Sequence, residues 1–199
     1  MAITQVQRPN LSSGSIKYIE GIPFEGLGSA GFTANDLLIT GDEFENFLEG
    51  GSGNDELVGG GGNDTLKEGL GNGIIKGDDG DDDLDGGEGT EKLYGGSGND
   101  TLRAGYGYDR LTGGDGNDTF DFYALGHFGI SDFTIGQDWL SFHIEGIDQL
   151  SDLVPYITGI SGTTSDGAGT RFDFGSAASI ELVGVKFEDI TADMIVFNI

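Results

Sequence analysis

The sequence predicts an all-β protein: a right-handed parallel β-roll, a solenoid, closed by a β-rich C-terminal cap. Three observations predict it. A nine-residue unit recurs eight times without a gap from Gly50 to Asp121. Its eighth place is always large and apolar: Leu57, Leu66, Ile75, Leu84, Leu93, Leu102, Leu111 and Phe120. Its fourth place is always glycine, from Gly53 to Gly116. A disordered acidic linker shares this composition but has no reason to keep a period.

The units are GGSGNDELV, GGGGNDTLK, EGLGNGIIK, GDDGDDDLD, GGEGTEKLY, GGSGNDTLR, AGYGYDRLT and GGDGNDTFD, preceded by a degenerate GDEFENFLE from Gly41. Places seven to nine predict a very short strand whose middle side chain points inward. Places one to six predict a turn, where glycine permits positive φ and close backbone approach. Two units make one coil, so each strand stacks on its equivalent eighteen residues away. Facing leucines then form a thin core that each coil buries only with neighbours.

Composition bounds the rest. The 199 residues include 39 glycines and 3 prolines, with 35 acids against 9 bases and a net charge of −26. That excess opposes folding through self-repulsion unless cations offset it. It also argues against nucleic-acid partners, which need a basic footprint. Cysteine is absent, so there is no disulfide, thiol nucleophile or Cys-zinc site. No run is long and apolar enough to span a bilayer, and MAITQVQRPN has no signal-peptide pattern.

A core this thin needs a further stabilising term. The sixth place supplies it. Stacked turns bring carboxylates from successive coils together, which is repulsive without a cation. A hard dication takes six to eight oxygens, and calcium tolerates an irregular cage better than magnesium. Cation binding then becomes folding free energy.

These units resemble the RTX (repeats-in-toxin) calcium-binding nonapeptide family, G-G-x-G-x-D-x-U-x, over about 80 residues. The resemblance implies calcium between adjacent turns, held by sixth-place carboxylates and by carbonyls of the first four places. On one side of the roll it assigns Asp64, Asp82, Asp100 and Asp118. The accompanying carbonyls are those of Gly59, Gly60, Gly61, Gly62, Gly77, Asp78, Asp79, Gly80, Gly95, Gly96, Ser97, Gly98, Gly113, Gly114, Asp115 and Gly116. The opposite side offers Asp55, Gly73, Glu91 and Asp109. Gly73 has no carboxylate, and Glu91 is one methylene longer than aspartate. The expectation is therefore three strong sites on the complete side and weak or empty ones opposite, with Glu91/Asp109 the best of these. Leu70 and Ile74 predict a drier contact there, against residues 1–40.

Three parts are expected: a lead-in over residues 1–40 with clusters at Ile16, Tyr18 and Ile19, the roll over 41–121, and the cap over 122–199. Short strands are predicted in the cap. Leu150, Leu153, Val154 and Ile157 predict a short helix with Asp148 as N-cap, and a second helical turn falls within Glu188–Met194. The stretch ISDFTIGQDWLSF and the terminal ADMIVFNI resemble C-terminal domains of bacterial RTX proteins exported by type I secretion. That resemblance implies a secreted, extracellular protein whose partners are calcium and the secretion machinery. The same features fit a C-terminal piece of a larger toxin, protease or lipase.

No H-E-x-x-H or G-x-S-x-G occurs, and His127 and His143 lack a partner motif, so no enzyme is expected. A binding role is the alternative. Lys67, Lys76, Lys92, Arg103 and Arg110 take outward positions, and Lys76, Lys92 and Arg110 share one face with Tyr94. Such a face suits an acidic polysaccharide, as in the similar modules of secreted alginate epimerases. It equally suits a solvated surface balancing the acidic turns.

Overall fold

The computed structural model describes residues 18–20, 36–165, 167–176 and 178–197. Two parallel ladders face each other across one core. One ladder stacks Leu38–Thr40, Glu56–Gly61, Ile74–Asp79, Lys92–Ser97, Tyr106–Asp115, His127–Ile130 and Ser179–Val183. The other stacks Phe47–Ser52, Thr65–Gly71, Asp83–Asp85, Thr101–Ala104, Thr119–Phe122, Trp139–Phe142 and Ile195–Phe197.

The register obeys the eighteen-residue rule. Leu57 lies opposite Ile75, Ile75 opposite Leu93, and Leu93 opposite Leu111. On the other ladder Leu48, Leu66, Leu84, Leu102 and Phe120 align in turn. Every one of these eighth-place side chains is fully buried, including Leu48 of the degenerate unit. Each buried side chain contributes roughly 1.5–3 kcal/mol by removal from water.

The strands are longer than the three residues expected. Pairing runs into the turns, as in Gly60 opposite Asp78 and Gly61 opposite Asp79. Fourth-place glycine has a double cause. Gly98 has φ +136°, and a methyl there would collide with the carbonyl of Gly80 one coil away. Gly80 and Gly116 repeat that arrangement. Only glycine accepts both the dihedral and the close approach.

The ladders continue past residue 121, with longer excursions between strands. Leu111 lies opposite Ile130, and Phe120 opposite Leu140. The leucine seam there gives way to aromatic packing of Phe122 on Phe128 (4.8 Å), Phe122 on Phe142 (5.5 Å) and Phe142 on Phe197 (5.8 Å). A hairpin of Gly159–Thr164 and Gly167–Asp173 adds antiparallel strands beside Ser179–Val183.

The helix near residue 150 is one turn, Leu150–Leu153, continued by a 3-10 turn at Val154–Tyr156. Gln149, not Asp148, is its N-cap, and no side chain caps it. Two 3-10 turns, Phe187–Asp189 and Ala192–Met194, take the place of the second helical turn.

Of the lead-in, Tyr18–Glu20 pairs antiparallel with Leu38–Thr40. Ile16 and most of the expected 1–40 segment lie outside the described residues, as does the terminal Asn198–Ile199. Leu70 is 56 % exposed and Ile74 half-buried, and most of the 1–40 segment expected to cover them lies outside the described residues. No helix among the described residues is long and apolar enough to cross a membrane.

Candidate metal centre

The turns stack as regularly as the strands. On the complete side each sixth-place backbone N–H donates to the sixth-place carboxylate one coil onward. Asp64 donates to Asp82 Oδ1 (2.7 Å), Asp82 to Asp100 Oδ1 (2.8 Å) and Asp100 to Asp118 Oδ1 (3.0 Å). One oxygen of each carboxylate is thereby fixed. The second oxygens of Asp64, Asp82, Asp100 and Asp118 are buried and have no hydrogen-bond partner.

Those second oxygens point where another acceptor lies. A methyl on Gly95 would be 2.5 Å from the Gly113 carbonyl oxygen and would overlap Asp100 Oδ2. A methyl on Gly77 would be 2.6 Å from the Gly95 carbonyl and would overlap Asp82 Oδ2. Gly59 stands likewise against Asp64 and the Gly77 carbonyl. Carboxylate and carbonyl oxygens thus crowd one volume with no donor between them. Among the described residues, no three carboxylate or histidine side chains gather at one point. A cation held here is therefore completed by backbone oxygen, and the all-oxygen donor set fits a hard divalent ion. Asp78, Asp79, Ser97 and Asp115 have exposed side chains and offer the cage only their backbones.

Burial is the chief reason these carboxyls are hard to ionise, and neighbouring carboxylates add repulsion. Asp64 and Asp100 are pushed up to about 7, and Asp82 and Asp118 to about 6, with one backbone N–H partly offsetting each shift.

Both ends of this ladder are closed by other means. At the first coil Asn46 replaces aspartate; its N–H donates to Asp64 Oδ1 (2.7 Å), and its own Oδ1 accepts from the Asp42 N–H (2.7 Å). At the last coil Asp138 accepts from the Asp118 N–H (3.0 Å) and the Thr134 N–H (2.7 Å), so both oxygens are used. Asp132 accepts from the Gly113 and Gly114 N–H groups (3.0 and 2.9 Å).

On the opposite side, Asp55 Oδ1 accepts from the Leu37 N–H (2.8 Å) and Asp109 Oδ1 from the Glu91 N–H (3.0 Å). The second oxygens of Asp55 and Asp109 and both of Glu91 are buried without partners. Burial, with the Asp109 carboxyl alongside, pushes the Glu91 carboxyl far above the usual range. The turn of Gly73, expected to lack a carboxylate, does not: Glu68, from the first place of the same unit, is fully buried there. Neither of its oxygens has a well-formed hydrogen bond.

Sequence reasoning missed Glu68, and it read Asp132 and Asp138 only as part of the ISDFTIGQDWLSF resemblance, not as members of the turn ladder. It also missed a fifth-place ladder, in which Asn99 N donates to Asp81 Oδ1 (2.7 Å) and Asn117 N to Asn99 Oδ1 (3.1 Å). The recurring Asn-Asp pair carried that signal. Glu68 had one too: among the eight tandem units it is the only acid at the first place, in the only unit without an acid at the sixth.

His143 Nδ1 lies 2.5 Å from Asp121 Oδ1, and Arg103 bridges Asp83 and Asp121. His127 stacks on Tyr108 at 4.5 Å and bonds Ser179. Lys92 and Arg110 are register neighbours, as are Lys76 and Tyr94, and Lys76 pairs with Glu56 at 2.6 Å.

Stacked acidic turns on a parallel roll define a repeat protein with rows of buried carboxylates in its turns. The sequence model of the RTX calcium-binding nonapeptide repeat matches residues 40–75, 69–102 and 94–124. Residues 40–124 are therefore RTX repeats, a calcium-binding structural module. Similar solved structures include two subunits of the Azotobacter vinelandii mannuronan C5-epimerase. AlgE6R3 is 23% identical over 86% of this chain and 83% of its own, with a TM-score of 0.37. AlgE6R2 is 24% identical over 79% of this chain and 91% of its own, with a TM-score of 0.39. The extracellular lipase LipA from Serratia marcescens is 19% identical over 74% of this chain, which spans 40% of the lipase, with a TM-score of 0.32. No curated protein matches the chain significantly.

The raised carboxyls set a pH dependence for the cation-free chain. Folding lifts these pKa values from 3.8 to about 6–7, so the folded state binds more protons than the unfolded state in between. Stability is then full below the unfolded pKa and is lost as pH rises through the folded one. In EDTA, far-UV circular dichroism should gain β signal on acidification from about pH 8 to about pH 4. No change, or loss of structure, over that range contradicts the assignment. Saturating calcium should reverse the trend, because protons then compete for the same oxygens.

Proposed function

We propose that this is a secreted, non-enzymatic protein whose roll folds on binding extracellular calcium and which leaves the cell through a C-terminal type I signal. One observation carries the calcium reading: the row of buried second oxygens on Asp64, Asp82, Asp100 and Asp118, each without a donor. Left ionised and unpaired, such groups oppose folding. Bound calcium supplies the countercharge. The chain's part is to fix each carboxylate through a backbone N–H and to present a carbonyl beside it. Three cages fit between the four aspartates, bounded by Asn46 and Asp138, whose oxygens are already satisfied. The opposite side, with Glu91 and Asp109, binds more weakly.

Export is supported by ISDFTIGQDWLSF and ADMIVFNI, the segments similar to type I-secreted proteins. A roll that needs calcium stays open where calcium is scarce, which suits passage of an unfolded chain. The variant carrying Asp82→Asn and Asp100→Asn should need at least about tenfold more calcium to fold, with reduced cooperativity, in a circular dichroism titration. An unchanged midpoint counts against the cage.

A second reading follows from one face. Lys92 and Arg110 are adjacent in register, with exposed Tyr94 and Tyr108 on the same ladder. This surface suits an acidic polysaccharide, with the epimerase subunits among the similar structures. Calcium-dependent retention on a polyuronate, lost in Lys92→Ala plus Arg110→Ala, is the expected result for this role. Absence of retention leaves the structural and export role alone.

A further inference from the structure

We propose that Glu68 stands in for the missing sixth-place aspartate of its own unit and completes a divalent-cation site between the turns that begin at Gly50 and Glu68. This rests on the calcium reading above and extends it to a residue outside the repeat pattern.

The exchange is one of volume. At Gly59, Gly77, Gly95 and Gly113 a side chain is forbidden, because the sixth-place carboxylate of the same unit already lies over the first residue. In the unit beginning at Glu68 the sixth place is Gly73, and that space is open. The Glu68 stem fills it: a methyl on Gly73 would overlap Glu68 Cγ and lie 2.8 Å from Glu68 Oε1. The carboxylate has moved from place six to place one of the same turn and reaches the same interior volume.

Its surroundings are those of a ligand. Glu68 is fully buried; neither Oε1 nor Oε2 has a well-formed hydrogen bond, and the Asp55 backbone N–H is the donor beside them. The same hypothetical methyl on Gly73 would lie 2.9 Å from the Asp55 carbonyl oxygen. One coil earlier, a methyl on Gly50 would lie 2.5 Å from Asp55 Oδ2 and 2.9 Å from the Glu68 carbonyl oxygen. Asp55 Oδ2 is likewise buried and unpartnered. Two carboxylates and the Glu68 carbonyl therefore lie between these turns, while the Asp55 carbonyl is already engaged by the Ile74 N–H (2.8 Å). Oxygen ligands of this type and charge suit calcium, and the longer glutamate arm is tolerated by its irregular coordination.

The test is calcium stoichiometry of the full chain by isothermal titration calorimetry and native mass spectrometry. Glu68→Gln, which keeps the shape and removes the charge, should bind at least one calcium ion fewer than the parent. The double variant Glu68→Gly, Gly73→Asp returns the carboxylate to place six and should regain the parent's count. Asp82→Asn, on the other side, should lose calcium with Glu68 intact. An unchanged count in Glu68→Gln overturns the proposal, since burial of a protonated acid predicts that result. Failure of the double variant to regain the count, while its circular dichroism in calcium matches the parent, also overturns it. Should Glu68→Gln not fold, the double variant alone decides. A parent that binds no calcium refutes the calcium reading itself, whereas a parent that binds and a Glu68→Gln that binds equally refutes only the role of Glu68.

Discussion

The fold depends on the meeting of like charges inside its turns. Each coil lays a buried carboxylate beside that of the next coil and aims its second oxygen at a carbonyl. In water this arrangement is repulsive, and inside a protein more so. The leucine seam alone is one residue wide per strand. On the proposed calcium reading, the same oxygens that oppose folding without a cation support it with one. The net charge of −26 is the bulk signature of that arrangement.

Every place in the unit answers to one neighbour eighteen residues away. The eighth place fills the seam, the fourth must clear a carbonyl, the fifth donates its N–H to a side chain behind, and the sixth accepts from an N–H behind. Coils therefore stabilise one another in sequence, as in other solenoids. Such a stack needs ends. Asn46 ends one turn ladder with a neutral amide bonded to Asp42, and Asp138 ends it at the other by accepting from Thr134. Above the last leucines, Phe122, Phe128 and Phe142 fill a widening core that no repeat remains to cover.

Much of this was legible in the sequence, for a physical reason. A repeat fixes register, so Leu84 had to face Leu66 and Leu102, and Asp82 had to neighbour Asp64 and Asp100. What escaped prediction lies where one place does another's work. Glu68 reads as an outlier at place one until the space vacated at Gly73 is seen in three dimensions. Asp138 sits twenty residues beyond Asp118, outside the nine-residue frame. Strand length was underestimated because the pairing at Gly60 and Asp78 follows from stacking of glycine-rich backbone, which carries no apolar signal. The short helix was placed correctly, but its N-cap was not. Gln149 gives no capping bond, and the Asp148 N–H instead reaches Asp152 Oδ2 (3.3 Å).

The most direct measurement is amide hydrogen exchange across residues 41–121 at neutral pH, in calcium and in EDTA. Coupled folding predicts strong protection of the seam amides around Leu66, Leu84 and Leu102 in calcium. It predicts near-complete loss of that protection in EDTA, with recovery when calcium is restored. Equal protection in EDTA would contradict the account, because the roll would then stand on its apolar seam without countercharge in its turns.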